Sequence, residues 1–317
     1  MCVICKFTLL FLYCYYLTYY IYEGNPALWK RLFKKDRVIK ELIESAPIIA
    51  AVKQAVESSI IRTDEQFTII DLCSGKGYLS MFLSEILPPQ KVERFILIDK
   101  AWAIASKDTT ELKSHHMNWD HIYGVDPNTD ESYFTTWKVP LYTSKQDLKQ
   151  SCNQRQMKKH IFDKTNGPII LLAIHLCGTL SLKSIDMFNN NDNVKLFCLK
   201  PCCLPQMLHA NRGDIFHIGK HSFDAKDVCS NGSFNRKSWS GPPRWHLQPK
   251  FDVWADNLFK GIDVGSDNMS TDGNRVMVSS TNASKSKNEI VIQVDGGFQN
   301  TYMFAERKPL TAAIWNK

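Results

Sequence analysis

The sequence predicts an α/β protein with an open, mostly parallel sheet. Apolar runs that end in polar residues alternate with stretches of helical spacing, a pattern typical of parallel strands covered by helices. One run, 168–176, is apolar almost throughout, as expected for a central strand buried on both faces. Two further apolar runs flank Asp295-Gly296-Gly297 and predict a closing antiparallel hairpin.

The N-terminal segment, 1–26, contains an uncharged, tyrosine-rich run at 7–22. With the preceding residues included, 3–22 reaches about the length of a membrane span, although tyrosine prefers the membrane interface to the bilayer centre. Two interpretations stay open, a membrane anchor and an apolar extension packed against the domain. No small-residue cleavage site precedes Gly24, which disfavours a removable signal peptide. We expect a cytoplasmic protein, and a nuclear location also fits.

Residues 27–66 are expected to form a helical cover before the first strand, with two helices within 27–60. The densest basic run, 30–40, belongs to this cover. Apolar residues at helical spacing accompany it, so a solvated helix face is a better interpretation of the run than a binding surface for an anion.

The core, 67–203, begins with a buried strand at 67–72, followed by a glycine-rich turn and a helix at 78–87. Gly75 and Gly77 allow positive φ values and a close approach of a ligand to the backbone. The turn therefore predicts a ligand site at the end of the first strand.

A second strand, 94–99, ends in Asp99, which is placed to accept hydrogen bonds from the ribose hydroxyls of a nucleoside cofactor. The turn lacks the third glycine of a dinucleotide site. Asp71 would also repel a pyrophosphate, whereas it could orient a ligand that carries an ammonium group. Both observations disfavour a nicotinamide-dependent oxidoreductase and favour S-adenosylmethionine.

Three more strands complete the core, at 138–143, at 168–176 and at 194–200. The third is followed by Asp147-Leu148, and the fourth ends in His175-Leu-Cys177-Gly178. The fifth ends in Lys200-Pro-Cys202-Cys203. Ligands of open α/β sheets bind outside the carboxyl ends of the strands, so these strand ends are candidate site residues.

The segment 204–287 is expected to be an insert with one amphipathic helix at 250–262 and a partly disordered stretch at 264–287, where Ser, Asn, Asp and Lys are frequent. The closing hairpin occupies 288–317. We predict that the insert recognises the substrate, since its basic and aromatic side chains suit looped or single-stranded RNA. These side chains are Arg212, Lys220, Arg236, Lys237, Trp239, Arg244, Trp245 and Lys250.

Charge and cysteine content narrow the class of protein further. A formal net charge of +7 makes an anionic partner such as RNA plausible. The ten cysteines show no paired metal-site spacing and favour a reducing compartment. Cys2 and Cys5 form a single C-x-x-C with no second half, so we predict no metal site.

Three motifs together carry a resemblance to a known family. They are DLCSGKG at 71–77, HLCG at 175–178 and KPCC at 200–203. The first resembles motif I of class I methyltransferases, D-x-G-x-G-x-G, with Cys73 in place of the first glycine. The set resembles a methyltransferase-domain family that includes transfer-RNA 2′-O-methyltransferases and the methyltransferase-like 25 proteins. This chain lacks the histidines that follow the cysteine pair in the transfer-RNA enzymes, and it lacks their N-terminal zinc-finger spacing.

The resemblance implies a Rossmann-like, seven-stranded sheet and S-adenosyl-L-methionine as cofactor. The side chains and glycines implied in cofactor binding are Asp71, Cys73, Gly75, Gly77, Tyr78, Asp99, Asp147 and Leu148. The resemblance does not fix the substrate. RNA is our first expectation, and a protein or a small molecule stays open.

Three catalytic candidates follow the fourth and fifth strands. His175 is the candidate base for a hydroxyl or amine nucleophile, or else an ordinary strand-end histidine. Cys202 and Cys203 are small residues packed near the cofactor, or one of them is a nucleophile for pyrimidine C5 methylation. A zinc site from Cys177, Cys202 and Cys203 with His175 is the weakest interpretation of these residues. The competing hypothesis for the whole protein is a non-catalytic binding module or RNA adaptor with the same fold.

Overall fold

The computed structural model describes residues 37–58, 65–103, 119–132, 137–235, 238–241, 244–265, 269–272, 275–278, 283–290 and 300–307. The chain divides into two compact units, Met1–Asp147 and Leu148–Lys317. The apolar segment 3–22 lies outside the described residues. Among the helices that are described, none has the length and apolar character needed to cross a bilayer.

The described part of the first unit contains three strands and three helices. In chain order they are α1 (Arg37–Ser58), β1 (Phe67–Leu72), α2 (Tyr78–Ile86), β2 (Val92–Ile98), α3 (Trp119–Ile122) and β3 (Leu141–Ser144). β2 pairs in parallel with both β1 and β3. All of β1 and the last four residues of β2 are buried, as predicted for strands covered on both faces.

β3 begins later than the predicted 138–143 because the chain before it is tied to α2. The Ser84 hydroxyl donates a hydrogen bond to the Val139 carbonyl at 2.8 Å, and the Val139 amide approaches the same hydroxyl at 3.2 Å. The ladder between β2 and β3 then starts at Leu141, opposite Phe95.

α1 is one continuous helix through Pro47, and the prediction of two helices within 27–60 stays untested. Residues 27–36 lie outside the described residues. Proline removes one helical hydrogen bond, and the buried stripe of the helix outweighs that loss. Its buried residues recur at helical spacing and include Val38, Leu42, Ala46, Ile49, Val52 and Val56.

The second unit contains the remaining elements. Its helices are α4 (Ser151–Met157), which continues into a π-helical turn (Lys158–Phe162), α5 (Leu180–Asn189), α6 (Met207–Asn211), α7 (Ala225–Val228), a 3-10 turn (Arg244–Leu247) and α8 (Gln248–Gly261). Its strands are β4 (Ile169–Cys177), β5 (Val194–Cys203), β6 (Ile215–Ile218), β7 (His221–Asp224), β8 (Ser233–Asn235), β9 (Ser238–Ser240), β10 (Met269–Asp272), β11 (Arg275–Val278), β12 (Ala283–Glu289) and β13 (Thr301–Glu306).

The pairing in this unit has a parallel part and an antiparallel part. β4 and β5 are parallel, whereas β13 pairs antiparallel with β5 and with β12. β11 and β10 continue the antiparallel part, and β6–β7 and β8–β9 are separate two-stranded hairpins. The predicted Rossmann-like α/β class is confirmed, and its seven core strands are β1 to β5, β12 and β13. Beyond these seven strands, β11 pairs with β12 and β10 pairs with β11.

The closing hairpin differs from its prediction in where it starts. β12 begins at Ala283, inside the segment assigned to the insert, and the turn at 295–297 lies outside the described residues. The sequence of β12, ASKSKNE, is polar, yet Ser284, Lys285 and Ser286 are buried. Hydrophobic periodicity could not detect this strand.

Lys285 is buried because its ammonium caps the C-terminal end of α8. Its Nζ donates hydrogen bonds to the carbonyls of Phe259 at 2.8 Å and Ile262 at 2.7 Å. The last carbonyls of a helix have no partner within the helix, so the Lys285 amine satisfies them as a donor, although burial of its charge lowers its pKa.

Candidate active site

The turn after β1 has three left-handed residues at alternate positions. They are Cys73 (φ 53°), Gly75 (φ 54°) and Gly77 (φ 75°). The two glycines adopt this conformation without strain, whereas Cys73 has a Cβ that disfavours it. The amide of Ser74 donates to the Ile98 carbonyl at 3.1 Å and holds the turn against the end of β2.

The two glycines have different surroundings. A Cβ at Gly75 would meet no atom within 4 Å, so the backbone there borders open space. A Cβ at Gly77 would lie 2.4 Å from Cδ2 of Leu97, which is fully buried in β2. Gly75 is therefore the position where a ligand can approach the backbone, and Gly77 is required for packing of the turn.

Asp99 lies directly beside this turn, as the sequence predicts. Its Oδ2 accepts a hydrogen bond from the Gly75 amide at 3.2 Å, and its Oδ1 accepts one from the Ala101 amide at 2.8 Å. A carboxylate oxygen has two lone pairs, so each oxygen can accept a further hydrogen bond from a ligand hydroxyl.

Asp71 is buried beneath the same turn. Its Oδ2 accepts a hydrogen bond from the hydroxyl of Ser80 in the first turn of α2, at 2.8 Å. Burial, with smaller contributions from Tyr78 and Asp71, raises the pKa of Tyr123 well above its ordinary value. Tyr123 therefore stays protonated, and its hydroxyl donates to the Lys76 carbonyl at 2.9 Å.

Aromatic side chains form a second support that sequence reasoning missed. The indole of Trp102 donates to the Ser74 hydroxyl at 3.1 Å, and its ring contacts Trp119 at a centroid distance of 4.8 Å. Trp119 stacks on Tyr123 at 5.4 Å. The spacing of Trp119 and Tyr123, one helical turn apart, is the signal that could have revealed this contact.

The loop after β3 also runs beside Asp99. The Asp99 amide donates to the Ser144 carbonyl at 3.2 Å, and the Gln146 amide lies 3.4 Å from the Asp99 carbonyl. Asp147, which comes next, is half-buried. Leu148 has an exposed fraction of 2%, and its carbonyl accepts a hydrogen bond from the Gln154 amide group at 2.6 Å. The adenine contacts expected of these two residues stay predictions.

His175 and the cysteines lie at the ends of β4 and β5 in the second unit. His175 has a left-handed backbone with φ 59°, and the β4–β5 register shifts on both sides of Leu176. This irregularity sets Cys177 opposite Cys203. Left-handed non-glycine residues inside strands are rare and cluster at functional sites.

The three thiols at these strand ends are in mutual contact. The Cys177 sulfur lies 3.2 Å from that of Cys202 and 3.7 Å from that of Cys203, and the last two are 3.6 Å apart. Cys177 is exposed, Cys203 is half-buried and Cys202 is buried.

Of these thiols, Cys177 loses its proton more readily than Cys202. Hydrogen bonds from the other two thiols lower the pKa of Cys177 to about 3 against the opposing effect of burial, and the electrostatic effects of the neighbouring His175 and Lys149 lower it further. The same contacts and burial raise the pKa of Cys202. A nucleophilic thiol needs a lowered pKa, so Cys177 has the character that the sequence assigned to Cys202 or Cys203.

The predicted substrate-recognition residues are only partly described. Arg212 and Lys220 are exposed. Lys250 instead donates to the Cys229 carbonyl at 2.9 Å and to the Asn231 side chain at 2.8 Å, so it has a structural role. The other five predicted side chains fall outside the described part.

Comparison with protein families shows which family the chain resembles. A family model described as a methyltransferase domain covers residues 37–210, from α1 to α6. None of the curated proteins compared with the chain gives a significant match. The family match spans more than half of the 317 residues and includes the turn at 73–77 and both cysteine-bearing strand ends. The chain therefore belongs to this methyltransferase-domain family.

Proposed function

We propose that the protein is a methyltransferase that uses S-adenosyl-L-methionine, held at the turn between β1 and α2. The observation that carries the proposal is the pairing of open space at Gly75 with the Asp99 carboxylate beside it. A side chain at residue 75 would fill that space. Two carboxylate oxygens with spare lone pairs suit the vicinal hydroxyls of a ribose.

Further residues of the motif at 71–77 and of the loop after β3 would complete the cofactor site. Asp71, anchored by Ser80, would fix the turn and favour the ammonium group of the methionine moiety. Tyr78, Cys73 and Gly77 would shape the turn. Asp147 and Leu148 would lie against the adenine.

Catalysis by this chain would consist mainly of positioning. When bound, the cofactor supplies a methyl group made electrophilic by the sulfonium. The chain must hold an acceptor in line with it and exclude water. We assign His175 the removal of a proton from a hydroxyl or amine acceptor, because an imidazole titrates near neutral pH and the strained backbone at 175 points to a functional constraint.

RNA is the proposed substrate class. The net charge of +7 and the exposed Arg212 and Lys220 support a partner with a phosphate backbone. The test is transfer of labelled methyl groups to RNA, protein and small-molecule fractions, followed by binding to the labelled class at several salt concentrations. Label in RNA, with affinity that falls as salt rises, is expected. Label confined to protein or small molecules would overturn the RNA assignment, and cofactor binding without transfer to any fraction would favour the non-catalytic module.

Replacement of His175 by asparagine tests its role as base. Asparagine tolerates the left-handed backbone but cannot act as a base at neutral pH, so the fold should persist while turnover falls by about 10² to 10⁴. Cofactor affinity should stay close to that of the wild type. His160→Asn, the same change at an exposed histidine of the π-helical turn, serves as the matched variant and should keep its turnover.

The result that contradicts this role is full turnover in His175→Asn. A covalent adduct with 5-fluoropyrimidine RNA that disappears only in Cys177→Ser, Cys202→Ser or Cys203→Ser would replace it with nucleophilic catalysis by that cysteine.

A further inference from the structure

The three-thiol cluster, defined as Cys177, Cys202 and Cys203, has the geometry of a metal site. Four-coordinate zinc with zinc–sulfur distances of about 2.3 Å places its sulfur atoms about 3.8 Å apart. The sulfur separations of 3.2, 3.7 and 3.6 Å in the cluster form a triangle close to one face of such a tetrahedron.

The backbone holds this triangle in place without a metal. Cys177 is in register with Cys203, and the Gly178 amide donates to the Cys203 carbonyl at 3.2 Å. Cys202 and Cys203 are neighbours in the last residues of β5. The ligands are therefore fixed by strand pairing, and metal binding requires only small shifts of the sulfur atoms.

The thiol chemistry favours a cation over a disulfide. A disulfide would join two of the sulfur atoms at about 2.05 Å and leave the third unused. All three sulfur atoms are instead in mutual contact, so a cation that displaced their protons could bind all three at once. Thiolates select soft or borderline ions such as zinc.

We propose that the three-thiol cluster binds one zinc ion through three thiolates and leaves the fourth coordination position free of protein sulfur. Cys177 is exposed whereas Cys202 is buried, so the ion enters from the side of Cys177. Three protein ligands with an open position are typical of zinc sites that bind water or substrate. The proposal reverses the expectation of no metal and does not depend on cofactor binding.

The test is the zinc content of the full chain, purified under reducing conditions after growth with zinc. We expect one zinc per chain in the wild type and a loss of affinity of at least about 100-fold in Cys177→Ser and Cys203→Ser. Two controls should keep the metal. Cys152→Ser removes an exposed free thiol elsewhere, and the double variant Cys2→Ser/Cys5→Ser removes the N-terminal C-x-x-C.

A second measurement uses the wild type alone, in case a cysteine variant does not fold. Zinc should protect Cys177, Cys202 and Cys203 from alkylation, mapped by mass spectrometry, and should leave Cys152 reactive. Cobalt in place of zinc should give a charge-transfer band with the intensity of three thiolate ligands. Equal alkylation of the three cysteines with and without zinc would overturn the proposal. A Cys177–Cys202 disulfide in the purified protein would also overturn it, if the protein still takes up no zinc once that disulfide has been reduced.

Discussion

The residues of the turn at 73–77 have different physical roles, and the sequence motif at 71–77 alone does not show which residue has which role. The sequence identified Asp71, Gly75 and Asp99 from their positions at strand ends. It could not assign Gly77 to packing against Leu97, because that contact depends on how the turn lies on β2. Nor could it show that Cys73 adopts the left-handed conformation of the glycine that it replaces.

Cys73→Gly should stabilise the protein by up to about 1 kcal/mol. Glycine relieves the left-handed strain at φ 53°, and its greater freedom in the unfolded chain offsets part of that gain. Thermal unfolding measures the effect. Cys152→Gly is the matched control, because the same change in the first turn of α4 relieves no left-handed strain and should lower stability by about 0.3 kcal/mol. A lower melting temperature for Cys73→Gly would show that the thiol contributes more than its backbone costs.

Alanine substitutions should separate the two glycines. In Gly75→Ala the new Cβ meets open space, so the fold should persist with a strain cost of about 1 kcal/mol while cofactor binding is lost. In Gly77→Ala the Cβ meets buried Leu97 at 2.4 Å, so stability should fall by about 1 to 3 kcal/mol beyond the strain. Titration calorimetry measures cofactor binding by the two variants, and urea unfolding measures their stability. Retained cofactor binding in Gly75→Ala would show that this space is not used.

At the scale of elements, sequence reasoning succeeded where burial creates a hydrophobic pattern. β1, β4 and α2 were predicted within a residue or two, since most of their residues are apolar and buried. It failed for β12, whose polar residues Ser284, Lys285 and Ser286 are buried, Lys285 through hydrogen bonds to the end of α8. The contact between Cys177 and the cysteine pair was expected only in the weakest interpretation of these residues, because the register shifts in β4 set it.

Lys285 gives this element a pH-dependent stability. Burial lowers its pKa from 10.5 to about 8. Between those values the unfolded chain binds more protons than the folded one, so the contribution of Lys285 to stability rises with pH. The free energy of unfolding of the wild type, relative to Lys285→Met, should therefore increase from about pH 8 to about pH 10.5.

Urea titrations at several pH values measure this difference in unfolding free energy. The other titrating groups are the same in both proteins, so their contributions cancel. Ser286 is a buried neighbour on β12 without a titrating side chain. The difference in unfolding free energy between the wild type and Ser286→Ala should therefore not change with pH. A wild-type advantage that falls across the same pH window would mean that the ammonium form is the favoured one in the fold.

At the scale of the whole molecule, the α/β class and the family follow from motifs at four strand ends. The family match ends at residue 210, so it covers the core strands β1 to β5 and leaves β6 to β13 outside. The insert predicted at 204–287 begins close to that limit and stays a prediction. Sequence reasoning took 264–287 for a mobile loop, whereas β10, β11 and the start of β12 lie in that range. β10 and β12 are polar, and β11 has only four residues, so none of them offers the longer apolar run on which prediction depends.

The most direct test of the central claim is calorimetric titration of the full chain with S-adenosyl-L-methionine. Wild-type protein should bind the cofactor at one site per chain, and Asp99→Ala should bind it more weakly by about 1 to 3 kcal/mol, because ribose hydroxyls lose a charged acceptor. Asp126→Ala, a change in the Val125–Ser132 loop of the same unit, is the control and should bind as the wild type does. Absence of binding in folded wild-type protein, or equal affinity in folded Asp99→Ala, would contradict the proposed cofactor site.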